Sequence, residues 1–223
     1  LICLENSHNR RGGAVLDAAY MAQVRDLAEA HGLAIHLDGA RLFNAAVALG
    51  VEAADLARDA DSVSVCLSKG LSAPVGSLLC GPAPFIAEAR RARKLLGGGM
   101  RQAGVIAAAG LLALEQMVNR LAEDHARARR LAEGLAELPG LRLCPEDVRT
   151  NIVLVSVDSA LMTAAELCRR AADEGLLFFP VSDQAVRLVT HGDVDDQAIE
   201  DALVIVRALL TDSPEVRRAS GES

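Results

Sequence analysis

Three apolar runs in the first third of the chain each give way to side chains that could do chemistry. LICLE, residues 1–5, ends on Glu5 and leads into Asn6, Ser7 and His8. LAIHL, 33–37, leads into Asp38 and, three residues later, Arg41. SVSVCL, 62–67, leads into Ser68 and Lys69. An acid and an arginine at that spacing suit one cationic and one anionic group held side by side. They also suit helix capping, because Asp favours the position just before a helix. The stretch CLSKGLSAPVGS surrounds Lys69 with small or apolar residues, an environment expected to desolvate its ammonium and favour the amine that forms Schiff bases. Opposite such a lysine a carboxylate has a specific use. It keeps the pyridine nitrogen of pyridoxal phosphate protonated, so that the ring accepts carbanion electrons. Asp38 and Lys69, one strand apart, fit that cofactor. His8 is a loop histidine, and imidazole titrates near neutrality, which suits proton transfer.

For these residues to meet, the three runs must lie side by side in one sheet. The intervening pattern supports this. Asp17 can cap a helix over 18–31, whose Tyr20, Met21, Val24, Leu27 and Ala28 fall at helical spacing before Gly32. A second helix is expected over 41–49, stopping at Gly50, and GSLLCG, 76–81, reads as a fourth strand. Strand–helix–strand alternation with short loops implies a parallel sheet with right-handed crossovers. Open parallel sheets bind ligands outside the carboxyl ends of their strands, which is where Glu5, Asn6, Ser7, His8, Asp38, Arg41, Ser68 and Lys69 collect.

The later chain changes character. Residues 101–138 read as mostly helical, with a break near Asn119 and a stop at Pro139-Gly140. LRLC and NIVLVSV read as strands, and Thr163 with Glu166 forms a capping box for a helix to about 174. LLFFP and AVRLVT read as a strand pair, and Asp195 can start a last helix to Leu210. The expected architecture is α/β, with a large domain over 1–120 and a smaller α+β domain over 121–223.

Composition narrows the function. Of 223 residues 51% are apolar, only 2% are aromatic and none is Trp, so Ala, Leu and Val build the core as in α/β proteins. A net charge of −7 argues against a nucleic-acid surface, and the densest basic cluster, Arg90, Arg91, Arg93 and Lys94, is small. The apolar run VIAAAGLLAL stops at Glu115, short of a membrane span. Five scattered cysteines without metal-ligand spacing are expected to be buried, reduced thiols, with no bound metal and a cytoplasmic location. The chain starts without Met inside a strand-like run, from which a truncated N-terminus is expected, and SPEVRRASGES, 213–223, reads as a natural polar tail. His36, two positions before Asp38, should share its face in a pleated strand; it reads either as a residue supporting the site or as a core histidine, the core being favoured. His31 and His125 are placed on helical surfaces, and His191 beside the strand VRLVT.

In combination LENSHNRRGG, HLDGARLFNAA, SVCLSKGLSAPVGS, GGGMRQAG and VRLVTHGDV resemble the low-specificity L-threonine aldolases, which are fold-type-I pyridoxal-phosphate enzymes. The resemblance runs from residue 1 to about 205. It implies a mainly parallel large domain, a small C-terminal domain, and a homodimer or homotetramer with shared active sites. It implies that Lys69 carries the cofactor and that Asp38 partners its pyridinium. Arg41 and Arg187 would bind the substrate carboxylate through their planar forks. His8 would lie near the substrate β-hydroxyl, and Arg101 would reach the cofactor phosphate of the neighbouring subunit. The substrates implied are threonine, allo-threonine and related β-hydroxy-α-amino acids, cleaved to glycine and an aldehyde. Two positions depart mildly from the family, Ser7 where Thr is usual and Gly192 where an apolar residue is common. The Gly-rich phosphate loop and the ring-stacking histidine of the relatives have no counterpart here. From the residues alone, Arg187 also reads as an outward residue on an edge strand.

Overall fold

The computed structural model describes residues 1–211; the polar tail lies outside the described residues. Two compact units emerge, Leu1–Asn9 with Ala14–Ala122, and Arg10–Gly13 with the chain from Glu123 onward.

The first unit holds a four-stranded sheet in the order β1 (Ile2–Glu5), β2 (Ile35–Gly39), β3 (Ser62–Cys66) and β4 (Ser77–Cys80). The first three strands are parallel, whereas β4 runs antiparallel to β3. The sheet is thus mainly parallel, as expected, with its last strand reversed. The reason is the connection: residues 67–76 form a loop rather than a helical crossover, and a short return can only pair antiparallel.

Helix α1 (Ala18–Ala30) starts where Asp17 Oδ1 accepts the Tyr20 N–H at 2.8 Å, as the capping rule requires. Helix α2 (Leu42–Leu49) stops at Gly50, whose φ of 66° is the left-handed conformation that glycine adopts without strain. The short α3 (Ala53–Ala57) and the long α4 (Ala83–Leu95) have no counterpart in the sequence reading. Helix α4 buries none of its residues, so it has no core stripe to read. Ile35, Leu37, Val63 and Val65 of the sheet pack with Met21, Ala28, Leu42, Ala45 and Leu56 from the helices. Burial of each large aliphatic side chain contributes about 1.5–3 kcal/mol. A polar clamp sets the start of β2. Asp61 Oδ2 accepts the Ile35 N–H at 2.7 Å, while Arg25 bonds the Asp59 carbonyl and lies 3.2 Å from Asp61. The Ile35 N–H, with help from Arg25, holds the Asp61 carboxyl below the usual carboxylate range.

Helix α5 (Gly104–Leu112) continues as a π-helical turn over Ala113–Met117, and the expected break follows before α6 (Leu121–Ala136). A helix apolar on every side is normally buried. Here Val105 is 81% exposed, and Leu111 and Leu112 are also open.

The second unit carries an antiparallel sheet in the order β5 (Leu141–Arg142), β6 (Ile152–Val157), β8 (Ala185–Val189), β7 (Phe179–Ser182). With α6, α7 (Ala164–Asp173) and α8 (Asp196–Thr211), its inward residues Val153, Val155, Val186 and Leu188 form one core. Thr163 and Asp195 cap α7 and α8 as expected, accepting the N–H of Glu166 and Ala198. Strand β7 begins at Phe179 rather than Leu176, because Leu176 and Phe178 turn into the core instead of joining the ladder. Among the described residues no single helix is long and apolar enough to cross a membrane.

Candidate active site

Because β1, β2 and β3 are parallel, their carboxyl ends share one edge. Cross-strand pairing sets Glu5 beside Asp38 and Asp38 beside Ser64, so the three share a face. That face is the one turned away from the core, since Ile35, Leu37 and Gly39 of β2 are buried while Asp38 is exposed. His36 lies on it too, with Nδ1 2.8 Å from Ser62 Oγ. The shared face with Asp38 is as expected, whereas the favoured core position for His36 is corrected, because that face is turned away from the core. A cleft of about 410 Å3 lined in part by Ser64, Ser77, Leu79, Ile86, Arg90 and Arg93 involves this sheet and α4.

The capping alternative for Asp38 is decided by geometry. Asp38 lies within β2, and its Oδ1 accepts the Ala40 N–H at 3.0 Å, a local turn before the helix. The cap of α2 is Arg41, half-buried, with no side-chain capping bond. The Asp38 carboxylate stands exposed on the outward face of the sheet.

Lys69 is exposed, contrary to the desolvation expected from its neighbours. Leu67, Leu71 and Ala73 turn inward to pack with Ala113 and Leu121, which leaves Ser68 and Lys69 outward. The Ser72 N–H donates to the Lys69 carbonyl at 2.8 Å and the Ala73 N–H to Leu67 at 3.0 Å, closing a tight turn under the lysine. Gly70 packs closely there: a Cβ would come within 2.7 Å of Leu121 Cδ2, so the leucine would have to move.

His8 stands in the loop after β1, half-buried, with Nε2 3.7 Å from Glu5 Oε2. Glu5 Oε1 also accepts the Asn9 N–H at 2.9 Å. The loop is closed by the His8 N–H, which donates to the Ala14 carbonyl at 2.8 Å.

Glu5, His8, Asp38, Arg41 and Lys69 therefore belong to one unit and to the strand exits of one sheet. Arg101 is exposed in the turn between α4 and α5. Arg187 belongs to the second unit, on β8 opposite Leu154 and Phe179. The edge-strand reading of Arg187 is corrected, since β8 lies between β6 and β7. Ser64 was missed by sequence reasoning; only the register of β2 against β3 reveals it.

Other expectations shift. All five cysteines are free, yet none is buried. Cys3, Cys80 and Cys144 are exposed, Cys66 is half-buried, and Cys168 packs partly buried against the core of the second unit. His31 caps α1 at an exposed position, and His191 is exposed, near Asp193. His125 is half-buried rather than superficial, and burial pushes its pKa down to about 4.

Residues 1–159 match the family described as "Beta-eliminating lyase". The chain is 47% identical over 204 residues to "Probable low-specificity L-threonine aldolase 2" of Arabidopsis thaliana, covering 91% of this chain and 58% of that protein. It is 42% identical over 210 residues to "Low specificity L-threonine aldolase" of Escherichia coli K12, covering 94% of this chain and 60% of that protein. It thus spans about three fifths of these relatives. Among solved structures, a putative aromatic amino acid beta-eliminating lyase/threonine aldolase from Exiguobacterium aligns with a TM-score of 0.78 at 25% identity, covering 93% of this chain and 61% of that one. A putative L-allo-threonine aldolase from Listeria monocytogenes aligns equally well, with a TM-score of 0.78 at 21% identity and the same coverage of each chain, and so shares the fold. With the family match covering well over half of its residues, the chain belongs to the β-eliminating lyase family.

Proposed function

We propose that this chain forms the lysine-bearing part of a pyridoxal-phosphate aldolase that cleaves L-threonine, L-allo-threonine and related β-hydroxy-α-amino acids to glycine and an aldehyde. The observation that carries the reading is the pairing of an open carboxylate, Asp38, with an outward lysine, Lys69, at the exits of adjacent parallel strands. The donor set fits the cofactor. Lys69 presents an exposed primary amine, and Asp38 an exposed carboxylate suited to a protonated ring nitrogen. When bound, the cofactor supplies an electron sink for the pair released at Cα.

The chain's own residues then divide the work. Lys69 holds the cofactor covalently, and Asp38 keeps its ring nitrogen protonated. Arg41 and Arg187 bind the substrate carboxylate, and Arg101 serves the phosphate. His8 accepts the β-hydroxyl proton. As the Cα–Cβ bond breaks, the hydroxyl carbon becomes the aldehyde carbonyl, and a proton returned to Cα completes glycine. The same reading extends to a homodimer or homotetramer with shared sites, supported by the open apolar α5, and to a cytoplasmic location.

A second reading has its own support: the matched family is named for β-elimination. Product analysis separates the two. Glycine with acetaldehyde from L-threonine supports the aldolase; 2-oxobutyrate with ammonia supports elimination and sinks the aldolase. No cofactor absorbance and no product when the cofactor is added to the native protein, with no change on Lys69→Ala, would refute both and leave a silent dimerising domain.

A further inference from the structure

We propose that Asn6 is the positioning residue that sets where His8 stands relative to Asp38; the inference rests on the reading of His8 as proton acceptor. Asn6 is completely buried. Its carboxamide meets the backbone of Leu16, ten positions away, twice: Nδ2 donates to the Leu16 carbonyl at 2.8 Å, and the Leu16 N–H donates to Oδ1 at 3.1 Å. Its own N–H donates to the Asp38 carbonyl at 2.9 Å. One residue thus ties the strand end that carries Asp38 to both ends of the loop that carries His8.

The imidazole depends on this closure. His8 Nδ1 is buried and has no hydrogen-bond partner among the described residues. The ring is therefore held by the backbone beneath it and by Glu5 beside Nε2. Only a carboxamide on a one-carbon stem meets the requirement, because it offers a donor and an acceptor side by side. Asp would set a second acceptor against the Leu16 carbonyl. Ala would leave the half-buried Leu16 N–H and C=O without these partners, and Gln is one methylene too long for the same ring. Small displacements of a catalytic group can reduce rates by about 100-fold.

The test compares Asn6→Ala and Asn6→Asp in the cofactor-loaded protein, each in the native and the His8→Ala background. Asn6→Asp, which keeps the size and one acceptor, serves where Asn6→Ala fails to fold. In the native background kcat for L-threonine is expected to fall roughly 10- to 100-fold, with KM changed less than about threefold. In the His8→Ala background the further loss is expected to be less than about twofold, because no imidazole is left to place. Amide exchange is expected to accelerate at His8 and Leu16 but not at Leu37. Equal losses in both backgrounds, or an unchanged kcat in the native one, overturn the inference. Should the native protein leave threonine uncleaved, the aldolase reading fails by itself. Exchange then decides: acceleration confined to residues 6–16 supports the clamp, and its absence overturns it.

Discussion

Lowering the pH from 7 to 5 should destabilise the protein measurably through a single imidazole. His125 lies on α6 at the spacing of Leu121, Ala128 and Ala132, which are buried. Burial disfavours the charged ring and pushes its pKa from 6.5 down to about 4. The unfolded chain therefore binds a proton that the folded chain refuses. This contribution is fully present above pH 6.5 and is lost as the pH falls towards about 4. Linkage with these two values gives about 1.8 kcal/mol less stability at pH 5 than at pH 7. The ring is only half-buried, and solvent screening brings the expected loss nearer about 1 kcal/mol. The chain has no Trp, so urea unfolding is best followed by far-ultraviolet circular dichroism. A loss of this size moves the midpoint by about 0.5 M. Other groups titrate as well, so the decisive quantity is a double difference. His125→Gln should lose about 1 kcal/mol less than the native protein between the two pH values. Equal losses in the two proteins would refute the assignment of burial as the cause.

Three substitutions test the glycine loop and the carboxylate. Gly13→Ala should lower stability by roughly 2–4 kcal/mol, because its φ is 75° and a Cβ would run into Thr150 Oγ1. Gly12→Ala, whose Cβ would meet Leu154 at an ordinary 3.4 Å, should cost about 1 kcal/mol; similar urea midpoints for the two variants would contradict this. Asp38→Asn keeps an oxygen for the Ala40 N–H, so circular dichroism and the unfolding midpoint should hardly change. Its kcat should nevertheless fall about 100-fold or more, and a fall under threefold would remove Asp38 from the ring nitrogen.

Much of the molecule is legible in short windows of the sequence, because the forces involved act over a few residues. Asp17, Thr163 and Asp195 cap helices as their types require, and Gly50 ends α2 where a positive φ is needed. The apolar runs locate strands, and the polar groups after them mark the functional edge. Helix α4 escaped because a helix that buries none of its residues leaves no stripe. The clamp at Asn6 escaped because its partner lies ten positions away, across a loop with no periodicity.

The sequence by itself determined which chemical groups stand at the strand exits: the Asp38 carboxylate, the Lys69 amine, the Arg41 guanidinium and the His8 imidazole. Propensity, spacing and capping suffice for that, since each depends on near neighbours. Tertiary structure decided the rest. It made Asp38 an outward strand residue rather than a cap, turned Lys69 to solvent while its apolar neighbours packed inward, and reversed β4. It also sank His125 and placed the Arg10–Gly13 segment in the second unit. Exposure and direction depend on partners distant in the chain, such as Leu121 under Gly70 and Thr150 beside Gly13. No local window contains those partners, so only the folded chain could assign them.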